Sequence, residues 1–161
     1  MRNVIAMAAM VGLVVGGCAT GPRGKFAAEQ PKEAREIAGR LQEIMDACEK
    51  KDFERLESYH LYGPKFTKFS TESAGRLDAE VARKGEHDGL SAVNGLSMRA
   101  DGLKIDVFGK VGIATFVLSY SFKAGEQTIE KQAKTTMVFV KDGGEWKIAH
   151  EHLSAIAGGS Q

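Results

Sequence analysis

Two hydrophobic periods divide this chain. From Lys32 onward, Ile37, Leu41, Ile44, Met45 and Cys48 recur at i, i+4, i+7, i+8 and i+11, the spacing of one face of an α-helix. Pro31 is tolerated in the first turn, and Lys50-Lys51 end the helix favourably against its dipole. Asp52 is placed to cap a second, short helix through Phe53, Leu56 and Tyr59, since its carboxylate can accept from free backbone N–H groups. Gly63-Pro64 breaks that helix, and Lys65-Phe66-Thr67-Lys68-Phe69 alternates as a short strand does. A third helix is predicted from Ser73 to about Arg83, with Ala74, Leu77 and Val81 on one side, followed by a loose stretch from Gly85 to Gly95.

Beyond residue 100 the period changes from 3.6 to 2. Leu103, Ile105 and Val107 alternate with Lys104 and Asp106, and Gly109-Lys110 marks a turn. Val111 to Phe122 is an uncharged run with Phe116, Leu118, Tyr120 and Phe122 interleaved among small or branched residues. Turns at Ala124-Gly125 and Asp142-Gly143-Gly144 then delimit strands over Thr128–Val140 and Trp146–Ile156. Helices followed by an antiparallel meander predict an α+β fold, in which N-terminal helices cover one face of a curved antiparallel sheet.

The first eighteen residues, MRNVIAMAAMVGLVVGGC, follow neither period. One positive charge at Arg2 precedes an apolar run from Val4 to Val15, the build of a secretory signal and too short for a comfortable membrane span. Val15-Gly16-Gly17-Cys18 resembles the lipobox of bacterial lipoproteins, with Val15 where Leu is usual. The resemblance implies a signal peptide over residues 1–17, acylation of Cys18 and a lipid anchor in the cell envelope. Ala19, where an inner-membrane lipoprotein would carry Asp, implies the outer membrane, periplasmic face. Residues 18–31, with Gly21, Pro22, Gly24 and Gln30, read as the lipidated N-terminus and its tether; about thirteen extended residues reach roughly 40 Å. One domain is expected over 32–157, and a short flexible tail over 158–161.

Removing residues 1–17 takes away only Arg2 of the 22 basic side chains, leaving them equal in number to the 21 acidic ones. A neutral chain without a basic stripe carries no electrostatic footprint for nucleic acid, and none is expected as a partner. With Cys18 acylated, Cys48 stands alone, and its place on the apolar helix face predicts a buried, inert thiol.

The closing segment is the most specific signal in the chain. Lys134-Thr135-Thr136, the Asp142-Gly143 turn and Trp146-Lys147-Ile148-Ala149-His150-Glu151-His152-Leu153-Ser154 resemble the SnoaL-like branch of the nuclear-transport-factor-2-like superfamily, with Lys134 where that branch often has Arg. Lys51-Asp52-Phe53 echoes its first helix turn. The resemblance covers about residues 32–157 and implies a cone-shaped fold in which helices close a strongly curved sheet. The fold hosts isomerases, cyclases, dehydratases, assembly modules and binding domains, so it does not by itself assign a reaction.

Strict alternation puts Trp146, Ile148, His150, His152 and Ser154 on one strand face and Glu151 on the other. That excludes the metalloprotease motif H-E-x-x-H, which needs both histidines on a helix with the glutamate as base. His150 and His152 could supply two metal ligands, with His60 and Cys48 as the only obvious complements; no metal or cofactor is expected. The ligand-lining residues expected of the cone are Tyr59, Tyr120, His150, His152 and Ser154, polar groups in an otherwise apolar cavity. No Asp or Glu interrupts the strands Val111–Phe122 or Ala133–Val140, and Asp106, paired in alternation with Lys104, reads as solvated. The sequence therefore predicts a non-catalytic domain that binds a small apolar ligand or a protein partner and can form a homodimer through its sheet. Acid–base isomerase, cyclase or dehydratase chemistry in the cone is the alternative.

Overall fold

A computed structural model of the chain describes residues 29–156; the expected leader, the expected acylation site Cys18 and the expected tail over 158–161 lie outside the described residues. Three helices precede and flank five strands: α1 Pro31–Lys50, α2 Phe53–Ser58, β1 Thr67–Phe69, α3 Ala79–Ala92, β2 Asn94–Phe108, β3 Val111–Ala124, β4 Gln127–Asp142 and β5 Glu145–Ala155. The strands form one sheet in the order β1-β5-β4-β3-β2; β1 runs parallel to β5 and every other pair is antiparallel. Among the described residues no helix is long and apolar enough to cross a membrane.

The helix face read from the sequence is the buried one: Ile37, Leu41, Ile44, Met45 and Cys48 are all buried. They pack on the inner sheet face, where Ala114, Phe116 and Leu118 of β3 meet Met137 and Phe139 of β4 and Trp146 and Ile148 of β5. Each fully buried large apolar side chain contributes roughly 1.5–3 kcal/mol of transfer free energy, so this interface dominates the stability of the domain. Gly112 marks its closest approach: a Cβ there would lie 2.2 Å from Ile37 Cδ1. At the helix ends, Lys51 adopts φ 55 to close α1, and the Asp52 carboxylate accepts from Arg55 N at 3.1 Å to start α2, as predicted.

The structure corrects the sequence reading in three places. The third helix begins at Ala79, not Ser73, because Ser73 is drawn into a turn with Ser70 and Gly75 and Leu77 bridges to Lys68; Asp78, accepting from Val81 N at 3.0 Å, is its cap. It then runs through Gly85 and Gly89 to Ala92, over the stretch expected to be loose. β2 starts at Asn94, well before Leu103, and continues across a bulge between Asp101 and Lys104, where Gly102 takes φ +65.

The third correction decides the site. Strict alternation fails in β5, because Val138 pairs with His150 while its neighbour Phe139 pairs with Ile148. Ala149 is therefore an extra residue, a β-bulge that reverses the two faces of the strand. Trp146 and Ile148 point into the core before it; Glu151, 4% exposed, points into the core after it. Glu151, expected on the face opposite Trp146 and Ile148, shares theirs, and the cone holds a carboxylate after all.

Candidate functional site

Between α1, α2, α3 and the inner face of the sheet lies a cavity of about 380 Å³, within the usual size of small-molecule pockets (roughly 300–1,000 Å³). Its walls are apolar: Leu41, Ile44 and Met45 from α1, Phe116 and Leu118 from β3, Met137 from β4 and Leu153 from β5. Its rim is marked by lining residues that are exposed, Glu72, Gly85, Gly89 and Lys131. At its base four ionisable side chains meet: His60, Lys68, Glu86 and Glu151.

Each of the four is placed by a different element. β1 pairs with β5 in the register that sets Lys68 beside Glu151; because Phe66 enters the core at 2% exposure, alternation carries Lys68 to the same side. His60 is fixed by a parallel bridge to Ile148, in which Ile148 N donates to Tyr59 O and Leu61 N donates to Ile148 O, each at 2.8 Å. Glu86 descends from α3 and accepts from the Tyr62 hydroxyl at 2.8 Å. The Tyr62 ring stacks flat on the His60 imidazole, centroids 4.6 Å apart and 2° from parallel.

Lys68 Nζ lies 2.5 Å from Glu86 Oε1 and 2.5 Å from Glu151 Oε2. The approach to Glu151 Oε2 lies off hydrogen-bond angles, so that oxygen has a charge partner without an aligned donor. On the other side His60 Nε2 is 3.2 Å from Glu151 Oε1, and His60 Nδ1 is 2.9 Å from the Leu56 carbonyl oxygen. A carbonyl and a carboxylate can only accept, so both ring nitrogens carry protons and His60 is an imidazolium. Two carboxylates and two cations make the cluster neutral, the condition under which buried charges are tolerated.

The protonation states follow from this geometry. Burial opposes the charged form of His60, but the hydrogen bond and charge of Glu151, with Glu86 beyond, outweigh it and hold the imidazole above its ordinary 6.5. Burial likewise opposes ionisation of Glu151, and the Lys68 charge and His60 overcome it, holding the carboxyl well below the usual range. Lys68, although buried, is held above its ordinary 10.5 by the two carboxylates. Burial and the negative charge of Glu86 keep the Tyr62 hydroxyl far above 10.0, so it stays protonated and donates to Glu86. Burial and the same carboxylates push the Cys48 thiol up to about 12, and it is an inert part of the wall.

His60, Glu86 and Glu151 each offer a ligand atom within 4.8 Å of the others, a spacing that could hold a metal ion. The Lys68 ammonium already stands against both carboxylates, and a divalent cation would have to displace it. This trio is also not the set weighed from the sequence. His150 and His152 lie on the outer sheet face, so neither can join His60 or Cys48.

Of the residues expected to line the cone, the structure places Tyr120 in the cavity wall and separates the rest from it. Tyr59 is buried beside α1, its hydroxyl accepting from Arg55 Nε at 2.5 Å and its ring under the Arg40 guanidinium at 4.4 Å. His150 Nδ1 bonds Thr67 Oγ1 at 2.8 Å. His152 and Ser154 lie by Thr115, Lys134 and Thr136 in a shallow depression outside the cone. The Ala149 bulge is the physical reason: it sends the two histidines outward and Glu151 inward.

In sequence, residues 37–158 match the SnoaL-like domain. No curated protein matches the chain significantly. Solved structures share its fold at low identity. A Streptomyces avermitilis protein provisionally called a dehydratase of the nuclear-transport-factor-2-like family superposes with a TM-score of 0.73 at 14% identity, covering 79% of this chain and 98% of its own. A Salmonella enterica serovar Typhimurium protein of the same superfamily gives 0.69 at 17% identity, with 81% and 95% covered. A Xanthomonas campestris protein, provisionally a calcium/calmodulin-dependent protein kinase II association domain, gives 0.68 at 18%, with 81% and 94% covered. These likenesses carry the fold alone. With the family match over residues 37–158, and a cone-shaped α+β architecture that is the fold of those nuclear-transport-factor-2-like structures, the chain belongs to the SnoaL-like family.

Proposed function

We propose that the domain binds a small, mostly apolar molecule in the cone cavity, its one polar group directed at the Lys68 ammonium, and does so without catalysis. The observation that carries this is an apolar-walled cavity of about 380 Å³ ending on a neutral ionic cluster. Lys68 donates to Glu86 Oε1 and has Glu151 Oε2 as a charge partner, so its three ammonium protons are not all committed and one is left for an oxygen of the ligand. Both His60 protons are committed to Leu56 and Glu151, and Glu86 already accepts from Lys68 and Tyr62. Neither is a free acid or base. Met45, Met98 and Met137, which all line the cavity, supply adaptable walls. Titration with the neutral fluorophore N-phenyl-1-naphthylamine tests the reading: saturable binding, weakened by filling the cavity with Leu118→Trp, supports it, and no saturable binding refutes it.

The chain works, in this proposal, as a lipid-anchored protein of the outer membrane facing the periplasm, held through Cys18. Radiolabelled palmitate incorporated into the wild type and lost in Cys18→Ala supports that; an unlabelled wild type overturns it. A second copy pairs through the outer sheet face, where Val111 pairs with Val140 and Ile113 with Val138. Sedimentation of a dimer that Ile113→Lys converts to a monomer supports this, and a wild-type monomer overturns it.

A second reading, dehydratase- or isomerase-type acid–base chemistry, is favoured by one observation: a buried imidazolium–carboxylate pair at the base of the cone, in a fold shared with a provisional dehydratase. His60→Gln abolishing solvent deuterium exchange at the α-carbon of a bound ketone would favour this reading over binding alone.

A further inference from the structure

On α3 the residues that face the cone fall at 82, 85, 86, 89 and 90, the i, i+3, i+4, i+7, i+8 set of a single helix face, and Val93 just past its end lines the cavity too. A helix that closes a filled core carries large apolar side chains there. Here Ala82 alone is buried, and the next turns present Gly85 and Gly89 to the cavity, both exposed at its rim.

Nothing in the packing requires glycine at either place. A Cβ built on Gly85 or Gly89 meets no heavy atom within 4 Å, and neither residue has a positive φ. Glycine in a helix interior is disfavoured against alanine by its backbone freedom. The two glycines thus weaken the helix with no gain in close approach. What they leave is open space at the mouth of the cavity. α3 is nonetheless fixed over that mouth, because Glu86, on the same face between them, reaches both Lys68 and Tyr62.

We propose that Gly85 and Gly89 set the width of the cavity mouth and so the girth of the molecule that enters. This rests on the cone being a ligand site, as proposed above. The ligand class it selects is one with a ring system or branched body broad enough to need the space those absent side chains leave, in place of a single extended alkyl chain.

The test pairs binding with stability in the full chain, using N-phenyl-1-naphthylamine as a broad neutral probe against a detergent blank. Gly85→Ala and Gly89→Ala should each raise Tm by about 2–6 °C through helix propensity. Each should nevertheless weaken the probe, and Gly89→Leu should weaken it by at least about fivefold. Val81→Ala, at a position 52% exposed and away from the cavity, should leave affinity unchanged. Affinity lost while stability rises is a result that a merely structural role for the glycines does not produce. If the wild type binds the probe and Gly89→Leu binds it equally well, the glycines do not set the mouth, though the cavity reading survives. If the wild type shows no saturable binding, the cavity reading fails and this inference falls with it. Should Gly89→Leu not fold, the two alanine variants decide the question by the same signs.

Discussion

Replacing Lys68 with methionine removes the cation that stands closest to both carboxylates at the base of the cone. Methionine keeps the length and most of the volume of the side chain, so the change is mainly one of charge. Lys68 Nζ is 2.5 Å from Glu86 Oε1 and from Glu151 Oε2, with side chains 13%, 16% and 5% exposed. Breaking a buried pair by deleting one partner costs about 3–5 kcal/mol, because the other charge is left uncompensated. In urea this lowers the midpoint by roughly 1–3 M at the slopes usual for small domains. The pH dependence gives the sharper signature. In the wild type Glu151 is held below its ordinary 4.5, so its contribution is present above that value and lost as pH falls through the folded value. Without Lys68 only His60 opposes burial, so the same carboxyl rises from its wild-type position, and protonation of Glu151 at a higher pH relieves the variant of part of its uncompensated charge. The difference between the two proteins should be largest near pH 6–7 and shrink steadily toward pH 4, with exposed pairs such as Arg99–Asp101 cancelling in the subtraction. Adding Glu151→Gln to Lys68→Met should restore much of the loss at neutral pH. A Lys68→Met protein within about 1 kcal/mol of wild type, or a difference that does not change with pH, would refute the reasoning.

His60 makes the opposite prediction. Its folded value is raised above 6.5, so its stabilisation is complete below 6.5 and is lost as pH rises through the folded value. Wild-type stability should decline on the alkaline side of neutrality, and His60→Gln should flatten that limb at a cost of about 1.5–3 kcal/mol near pH 6; urea melts kept about one pH unit below 9.0, the ordinary value of the unfolded Cys48 thiol, check it, and an unchanged limb contradicts it. Gly112→Ala drives a methyl group to within 2.2 Å of Ile37 Cδ1 and should cost about 1–3 kcal/mol by overpacking, with Ile37→Val in the same chain recovering part of it. His152→Ala with Ser154→Ala alters only the outer face and should leave binding of a cavity probe unchanged.

The helices and the meander were legible because burial follows period. Ile37, Leu41 and Ile44 repeat with the helix, and Phe116 and Leu118 alternate with the strand, so each pattern names its own core face. The site was not legible for two physical reasons. The bulge at Ala149 has no compositional mark, since the sequence around it alternates acceptably in either frame; only the pairing of Val138 with His150 and of Phe139 with Ile148 reveals the slip. The cluster is also assembled across long separations, from the end of α2, β1, α3 and β5, and no local pattern joins His60 to Glu151. One signal was present: the alternation that carries Phe66 inward carries Lys68 inward too, and an inward lysine needs an inward carboxylate. The glycines of α3 misled in a different way. They suggested a loose stretch by propensity, whereas the Asp78 cap and the Glu86 contacts keep the helix.

The central claim is that the cone holds a small apolar molecule above the Lys68–Glu151 pair. Beyond residue 28 the chain has three methionines, Met45, Met98 and Met137, and all three line the cavity. Titrating the methyl-13C-methionine protein with N-phenyl-1-naphthylamine and following the methyl resonances, with the His152 ring as an outer-face reference, therefore reads the cavity directly. All three methyl signals should shift together and saturate at one affinity while His152 stays still. Methyl signals that do not move, or a His152 ring that moves in their place, would contradict the account.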